Sequence, residues 1–315
     1  MHWGRSAGAF SAEVHSFAYH DDPIAESYYM ESGLVVDSSF PRDLDFSNFT
    51  FVAQNVGCAN PCGRECVDDE EFGAAELDCM RQVSMSQMIN FLGQYGDRAE
   101  QPPLTWTLIP DDKIVFSDYH ARAEQGLIAR RPSIVSFTAH EFTSLVPWPF
   151  NNVTEGPWQP PVIAASVDFG VCPALNSTTY RNRLGDDAPV FRFQYAATFP
   201  NLNVYEWLGA YHNAETPMIF GTYGLLDHIA NTTDFQVELS LSMQDHILAF
   251  AKDPYNGPQA LGWEPMDTSE PDGGFILRFG GSEGQLTERV SGLEIDGVCL
   301  GLGEYDAYPY PSPHF

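Results

Sequence analysis

Residues 4–8 read Gly4-Arg5-Ser6-Ala7-Gly8. This is the G-x-S-x-G pattern of a sharp strand-to-helix turn that stands a serine hydroxyl above a central sheet. A strand must run into such a turn and a helix must leave it. Only Met1, His2 and Trp3 precede it, so the chain reads as the later part of an α/β arrangement whose amino-terminal portion is absent. A serine hydroxyl is a weak nucleophile at neutral pH. It needs a base within about 2.6–3.2 Å, and a group that orients the base. It also needs donors aimed at the oxyanion of a tetrahedral intermediate. Ser6 is the candidate nucleophile. The Ala7 amide, at the positive end of the following helix, is a candidate oxyanion donor. Gly4 and Gly8 read as residues that the turn and the close helix–strand contact require.

Working outward, the helix entered at Ala7 runs to about Tyr19 and stops at His20-Asp21-Asp22-Pro23. A strand is expected from Ile24 to Gly33. Helical spacing of Phe46, Phe49, Val52 and Ala53 leads to Cys58. Residues 58–79 read as an acidic, cysteine-rich loop, Met80 to Tyr95 as a helix, and Gln101 to Val115 as a Pro- and Asp-rich surface stretch. Buried strands are expected at Ile134–Phe137, Val190–Ala197 and Phe275–Phe279, and a helix at Val237–Lys252. Strands separated by helices make an α/β fold. Nothing resembles an interdomain linker, so residues 1–315 read as one domain. Phe17, Tyr19, Tyr28 and Tyr29 read as core aromatics.

Composition narrows the function. Fifteen Lys and Arg stand against 43 Asp and Glu, a formal charge of −28. Phosphate binding needs clustered basic residues, which disfavours a nucleic-acid partner. Lysine occurs only at Lys113 and Lys252. There is no long apolar run for a membrane span and no basic amphipathic stretch. Six cysteines contain no pair of C-x-x-C knuckles, so no metal site is expected. His140-Glu141 opens the H-E-x-x-H zinc pattern, but Ser144 stands where its second histidine belongs. N-x-S/T sequons at Asn48, Asn152, Asn176 and Asn231, with an even cysteine count and few lysines, point to a secreted glycoprotein. No signal peptide is visible before the turn.

Gly4-Arg5-Ser6-Ala7-Gly8-Ala9, the helix through Ser16-Phe17-Ala18-Tyr19, Asp22-Pro23-Ile24 and Glu31-Ser32-Gly33 together resemble the type-B carboxylesterase/lipase family. This is the α/β-hydrolase group that includes cholinesterases and fungal lipases. Two later blocks resemble it as well. One is Phe116-Ser117-Asp118-Tyr119, then Arg122, Gly126, Arg131-Pro132 and Ile134 to Glu141. The other is Gly209-Ala210-Tyr211-His212-Asn213-Ala214-Glu215-Thr216-Pro217, then Phe220-Gly221. The resemblance implies a mostly parallel sheet flanked by helices and a carboxylic-ester hydrolase that uses no cofactor. It implies Ser6 as nucleophile, Glu141 as acid and His212 as base. Ser32 would support the glutamate, and Glu215 would help place the histidine loop. It further implies a Cys58–Cys79 disulfide; Cys172 with Cys299 is the second expected pair, while Cys62 and Cys66 stay open.

The chain departs from the family at Arg5, where Glu or Gln is usual, and at Phe142, where glycine usually follows the acid. The interval from Glu141 to His212 is shorter than the family's. The family's amino-terminal half carries further oxyanion donors, each worth roughly 2.7–4 kcal/mol in the transition state. Weak or absent activity is therefore an expectation for this stretch alone. The rival readings are a catalytically silent binding or adhesion domain and a non-functional fragment. Natural ester, acyl-chain preference and oligomeric state are left open.

Overall fold

The computed structural model describes residues 1–38, 47–59, 69–101, 103–104, 106–281 and 284–305. Cys62 and Cys66 lie outside the described residues. In chain order the elements are β1 (His2–Arg5), α1 (Ala7–Ala18), β2 (Tyr28–Glu31), α2 (Ser47–Asn55), α3 (Asp69–Met80), α4 (Met85–Asp97), α5 (Tyr119–Glu124), β3 (Ser133–Thr138), α6 (Gln159–Ser166), a π-helical segment (Val167–Val171), α7 (Cys172–Asn182), β4 (Val190–Tyr195), α8 (Thr216–Ile219), α9 (Asp234–Lys252), α10 (Gly257–Ala260), β5 (Phe275–Phe279), β6 (Thr287–Ser291) and α11 (Gly292–Asp296).

Two compact units can be distinguished, residues 1–38 with 118–315, and residues 39–117. The first carries a six-stranded sheet in the order β1-β2-β3-β4-β5-β6. β1 to β5 are parallel and β6 returns antiparallel. The inner strands β2 to β5 are buried along their whole length, as expected when helices cover both faces of a parallel sheet. The pleat divides their side chains between two cores. Tyr29, Ile134, Phe191 and Phe193 point toward α9, where Leu239, Met243, Ile247 and Phe250 meet them. Tyr28, Met30, Val135 and Val190 point the other way, toward Ala9 and Ala12 of α1 and Ala174 of α7.

Under α1 a buried polar cluster fixes the helix. Glu13 accepts from Ser177 Oγ at 2.5 Å and from the Val35 amide at 2.6 Å. The Arg181 guanidinium donates to Ser16 and Ser133 and lies 3.6 Å from the Glu13 carboxylate. A buried ion pair survives only when its spare donors and acceptors are satisfied, and here α1, α7 and β3 supply the partners. Arg192 of β4 pairs likewise with Asp296 of α11.

The second unit is helical. Val52, Ala53, Val56, Cys58 and Met80 pack together, with Phe91 and Leu92 against them, and the Cys58–Cys79 disulfide closes this cluster.

Several expectations are corrected. The segment read as a loop over 58–79 contains α3 from Asp69 to Met80; strong helix formers such as Ala74, Ala75 and Leu77 prevail over the acidic, cysteine-rich composition. The helix expected from Met80 starts only at Met85, because Ser84 caps it by accepting from the Gln87 amide. The strand expected over Ile24–Gly33 is confined to Tyr28–Glu31, and Ile24 is exposed. Tyr19 is exposed at the end of α1, whereas Phe17, Tyr28 and Tyr29 are fully buried. Gly8 needs no space of its own, since a Cβ there would meet nothing within 4 Å.

Cys172 and Cys299 are joined across 127 positions, tying the start of α7 to the turn after α11. Loop-entropy arithmetic puts such a constraint at about 5 kcal/mol. Replacing both cysteines with serine is expected to lower stability by roughly 2–5 kcal/mol, read from the urea midpoint; an unchanged midpoint would contradict this.

Candidate active site

β1 enters the turn at Arg5 and α1 leaves it at Ala7, with Ser6 between them at φ 53°, ψ −121°. A non-glycine residue there is strained, on the order of 1–3 kcal/mol, and persists only when its surroundings enforce it. The enforcement is visible. A Cβ on Gly4 would lie 1.9 Å from the Gly8 carbonyl oxygen, and one on Gly33 would lie 2.4 Å from the Ser6 oxygen. The Ser6 amide donates to Glu31 at 2.8 Å, while its carbonyl accepts from Ala9 and Phe10 in the first turn of α1.

Glu141 follows β3 by three residues. Its Oε2 accepts from the Thr138 amide at 2.8 Å, the Thr138 hydroxyl at 2.9 Å and the Ser32 hydroxyl at 3.0 Å. Its Oε1 is bonded to His212 Nδ1. With the carboxylate on Nδ1, the imidazole proton is assigned there and Nε2 is left to act as a base. Ser32 itself sits at φ 57°, so β2 ends in a second strained serine that turns its hydroxyl toward the acid.

The histidine loop is stitched to the end of β3. The His140 amide donates to Ala210, and the Ala210 amide donates back to His140 Nδ1 at 3.0 Å. Gly209, at φ 58°, passes so close over the His140 ring that a Cβ would approach it to 2.5 Å. Asn203 holds the Gly209 carbonyl at 2.6 Å. Ser6, Ser32, Glu141 and His212 line one cavity of about 360 Å³. An open cleft of about 430 Å³ around Asn182, Tyr255 and Asp267 shares no residue with it. Among the described residues no cluster of His, Cys, Asp and Glu is arranged to hold a metal.

Behind the histidine lie two more carboxyls, both almost wholly buried. Glu31 accepts from Trp3 Nε1 at 2.7 Å and from Thr216 at 3.1 Å. Glu215 faces it from the start of α8, where its carbonyl accepts from the Met218 and Ile219 amides. Burial, then the nearby charges of Glu31 and Glu141, push the Glu215 carboxyl well above its ordinary value. Burial also raises Glu31.

Sequence reasoning brought Ser6, Ser32, Glu141 and His212 to one place. It missed Thr138, whose only signal was its position three residues before Glu141. It also missed His140, Trp3 and Glu31, whose partners lie far away in the chain. The sequon asparagines differ in setting. Asn152 and Asn231 are exposed outside helices and strands, Asn48 lies in α2, and Asn176 lies in α7 with its amide donating to both oxygens of Asp37.

This combination of mostly parallel sheet and serine turn, with Glu141 in the turn after β3 and His212 in the long loop after β4, defines an α/β-hydrolase. Solved structures agree on the fold. The chain matches a thermophilic PNB esterase at TM-score 0.65 and 15% identity, covering 92% of this chain and 60% of that one. Another PNB esterase structure matches at TM-score 0.66 and 17% identity, over 92% and 59%. In sequence the chain is 31% identical to secreted lipase 5 of Gibberella zeae, over 96% of its own length and 55% of the lipase. It is 32% identical to a chlorogenic acid esterase of Aspergillus niger, over 82% and 46%. It thus spans about half the length of these relatives. No protein-family model matches it. Its curated relatives are thus a lipase and an esterase, and it shares the α/β-hydrolase fold of the PNB esterases.

The raised Glu215 carboxyl has a consequence for stability. Below the ordinary glutamate value of 4.5 both folded and unfolded chains hold the proton. As pH rises from there, the unfolded chain releases it while the folded chain retains it, so stability falls until the folded value is passed. Glu215→Gln is expected to flatten that fall, measured as urea midpoints between pH 4 and pH 8. An identical slope in variant and wild type would contradict it.

Proposed function

We propose that this chain is the catalytic part of a serine ester hydrolase, with Ser6 as nucleophile, His212 as general base and Glu141 as the acid that orients it. The observation that carries the reading is the bond from Glu141 to His212 Nδ1 beside a cavity that also opens on the strained Ser6. In the first half-reaction Ser6 Oγ bonds to the ester carbonyl carbon as His212 Nε2 takes its proton. The carbonyl oxygen becomes an oxyanion, and the Ala7 amide at the start of α1 is the donor assigned to it. Collapse breaks the carbon–oxygen bond of the leaving group, and His212 returns the proton to the departing alcohol. Water then attacks the acyl-serine, again giving its proton to His212, and the acid is released. Glu141, bonded to Nδ1, orients the ring and stabilises the imidazolium.

Thr138 and Ser32 occupy the other carboxylate oxygen and leave Oε1 for the histidine. Glu215 is buried at the start of α8, three residues after His212, with its carboxyl pushed well above the ordinary glutamate value by burial and by the charges of Glu31 and Glu141. Secretion is part of the proposal. It is supported by the two disulfides and by the word "secreted" in the lipase relative's name. Asn152 and Asn231 are the sequons best placed for glycan.

A fluorophosphonate probe applied to the full chain is expected to label Ser6, and Ser6→Ala to abolish both labelling and turnover of a short aryl ester. Glu141→Gln is expected to lower kcat by roughly 10³–10⁴-fold, by analogy with the acid of serine-protease triads. Folded protein that neither reacts with the probe nor loses turnover in Ser6→Ala would overturn the assignment.

A further inference from the structure

The cavity beside Ser6 is walled mainly by apolar side chains. Phe10 comes from α1, Phe137 from β3, Phe142 and Leu145 from the turn after the acid, and Phe169 from the segment before α7. Two features of this wall follow from the chain's own irregularities. Phe142 stands directly after Glu141 and pairs with Phe169, ring centroids 5.9 Å apart and planes inclined by 40°. Phe169 lies in the π-helical segment Val167–Val171. A π-turn holds one residue more than an α-turn and occurs frequently at functional sites. The segment is tied at its end, where Cys172 is bound to Cys299, and a Cβ on Gly170 would lie 3.4 Å from the ring of the cavity residue Phe137. Phe169 is nonetheless 64% exposed, so its ring contributes a face to the cavity while much of it remains uncovered.

We propose that Phe142 and Phe169 make this site selective for esters carrying a planar aromatic ring, the ring stacking on the face the pair presents. This inference rests on the serine-hydrolase reading and adds the substrate class. The rings stand too close for a third ring to slide between them, since stacked aromatic faces need about 7 Å for such a sandwich. The ligand ring therefore packs offset or edge-on against the pair, the arrangements aromatic rings prefer. At about 360 Å³ the cavity is at the small end of ligand sites, suited to one ring and a short spacer. The shared chemistry is the ring itself, which the acid or the alcohol of the ester can supply.

The test compares two ester pairs on the full-length protein. Methyl 3-phenylpropenoate against methyl hexanoate places the ring on the acid. 2-Phenylethyl acetate against hexyl acetate places it on the alcohol. The readout is the ratio of kcat/KM for the aromatic ester to that for its alkyl partner. Phe169→Leu keeps an apolar side chain and removes the ring. It is expected to lower this ratio roughly 3- to 10-fold in one of the pairs, the change that corresponds to one lost ring contact, and mostly through KM. Phe142→Leu is expected to lower the same ratio. Phe150→Leu, an exposed ring outside the cavity wall, is expected to leave it unchanged. A fall in the first pair places the ring on the acid and a fall in the second on the alcohol; either supports the inference. Ratios that stay within twofold in both pairs overturn it while leaving the hydrolase standing. Absence of turnover of all four esters by folded protein overturns the hydrolase reading, and this inference with it.

Discussion

The close approach of β1 to α1 is the constraint on which the site depends. The Gly4 α-carbon lies where any side chain would strike the Gly8 carbonyl. The strand and helix meet at so sharp an angle that Ser6 is left at positive φ, with its side chain projecting from the turn. Such strain relaxes unless something opposes it. Glu13 and Arg181 oppose it from below by pinning α1 to α7 and β3, and Gly33 opposes it from the side by seating β2's end against the Ser6 carbonyl. Ser6 is therefore held by backbone geometry and a buried ionic cluster rather than by contacts of its own side chain.

Glu141 and His212 are held differently, by hydrogen bonds between loops. Thr138 and Ser32 supply the donors that satisfy the buried Glu141 carboxyl. The His140–Ala210 exchange brings the histidine loop to the acid across 70 positions of sequence. The same region contains Glu31 and Glu215, which is costly for an already acidic chain. The raised Glu215 carboxyl and the donors from Trp3 and Thr216 to Glu31 act against that cost.

Local patterns carried far in the sequence and failed for identifiable reasons. The helix after Ser6, the strands at Ile134, Val190 and Phe275 and the long helix ending at Lys252 were legible because periodicity and breakers agreed. β1 was implied only by the turn that follows it. β6 has just one buried residue, Val290, and so shows little hydrophobic signal. α3 was hidden by its acidic residues and by the cysteines around it. The Gly8 expectation failed because the tight contact is made by its carbonyl oxygen, leaving the space beside its own α-carbon open.

From the sequence alone came the α/β class, the serine turn, both disulfide pairs and the candidate grouping of Ser6, Glu141 and His212, since each rests on a short pattern or on the blocks around it. Only the tertiary structure decided which carboxyls share the histidine's surroundings, which glycine the turn requires and which aromatic rings face the cavity. Those matters depend on distances between segments remote in the chain, and such distances are set by how helices pack on a pleated sheet, which no local pattern records.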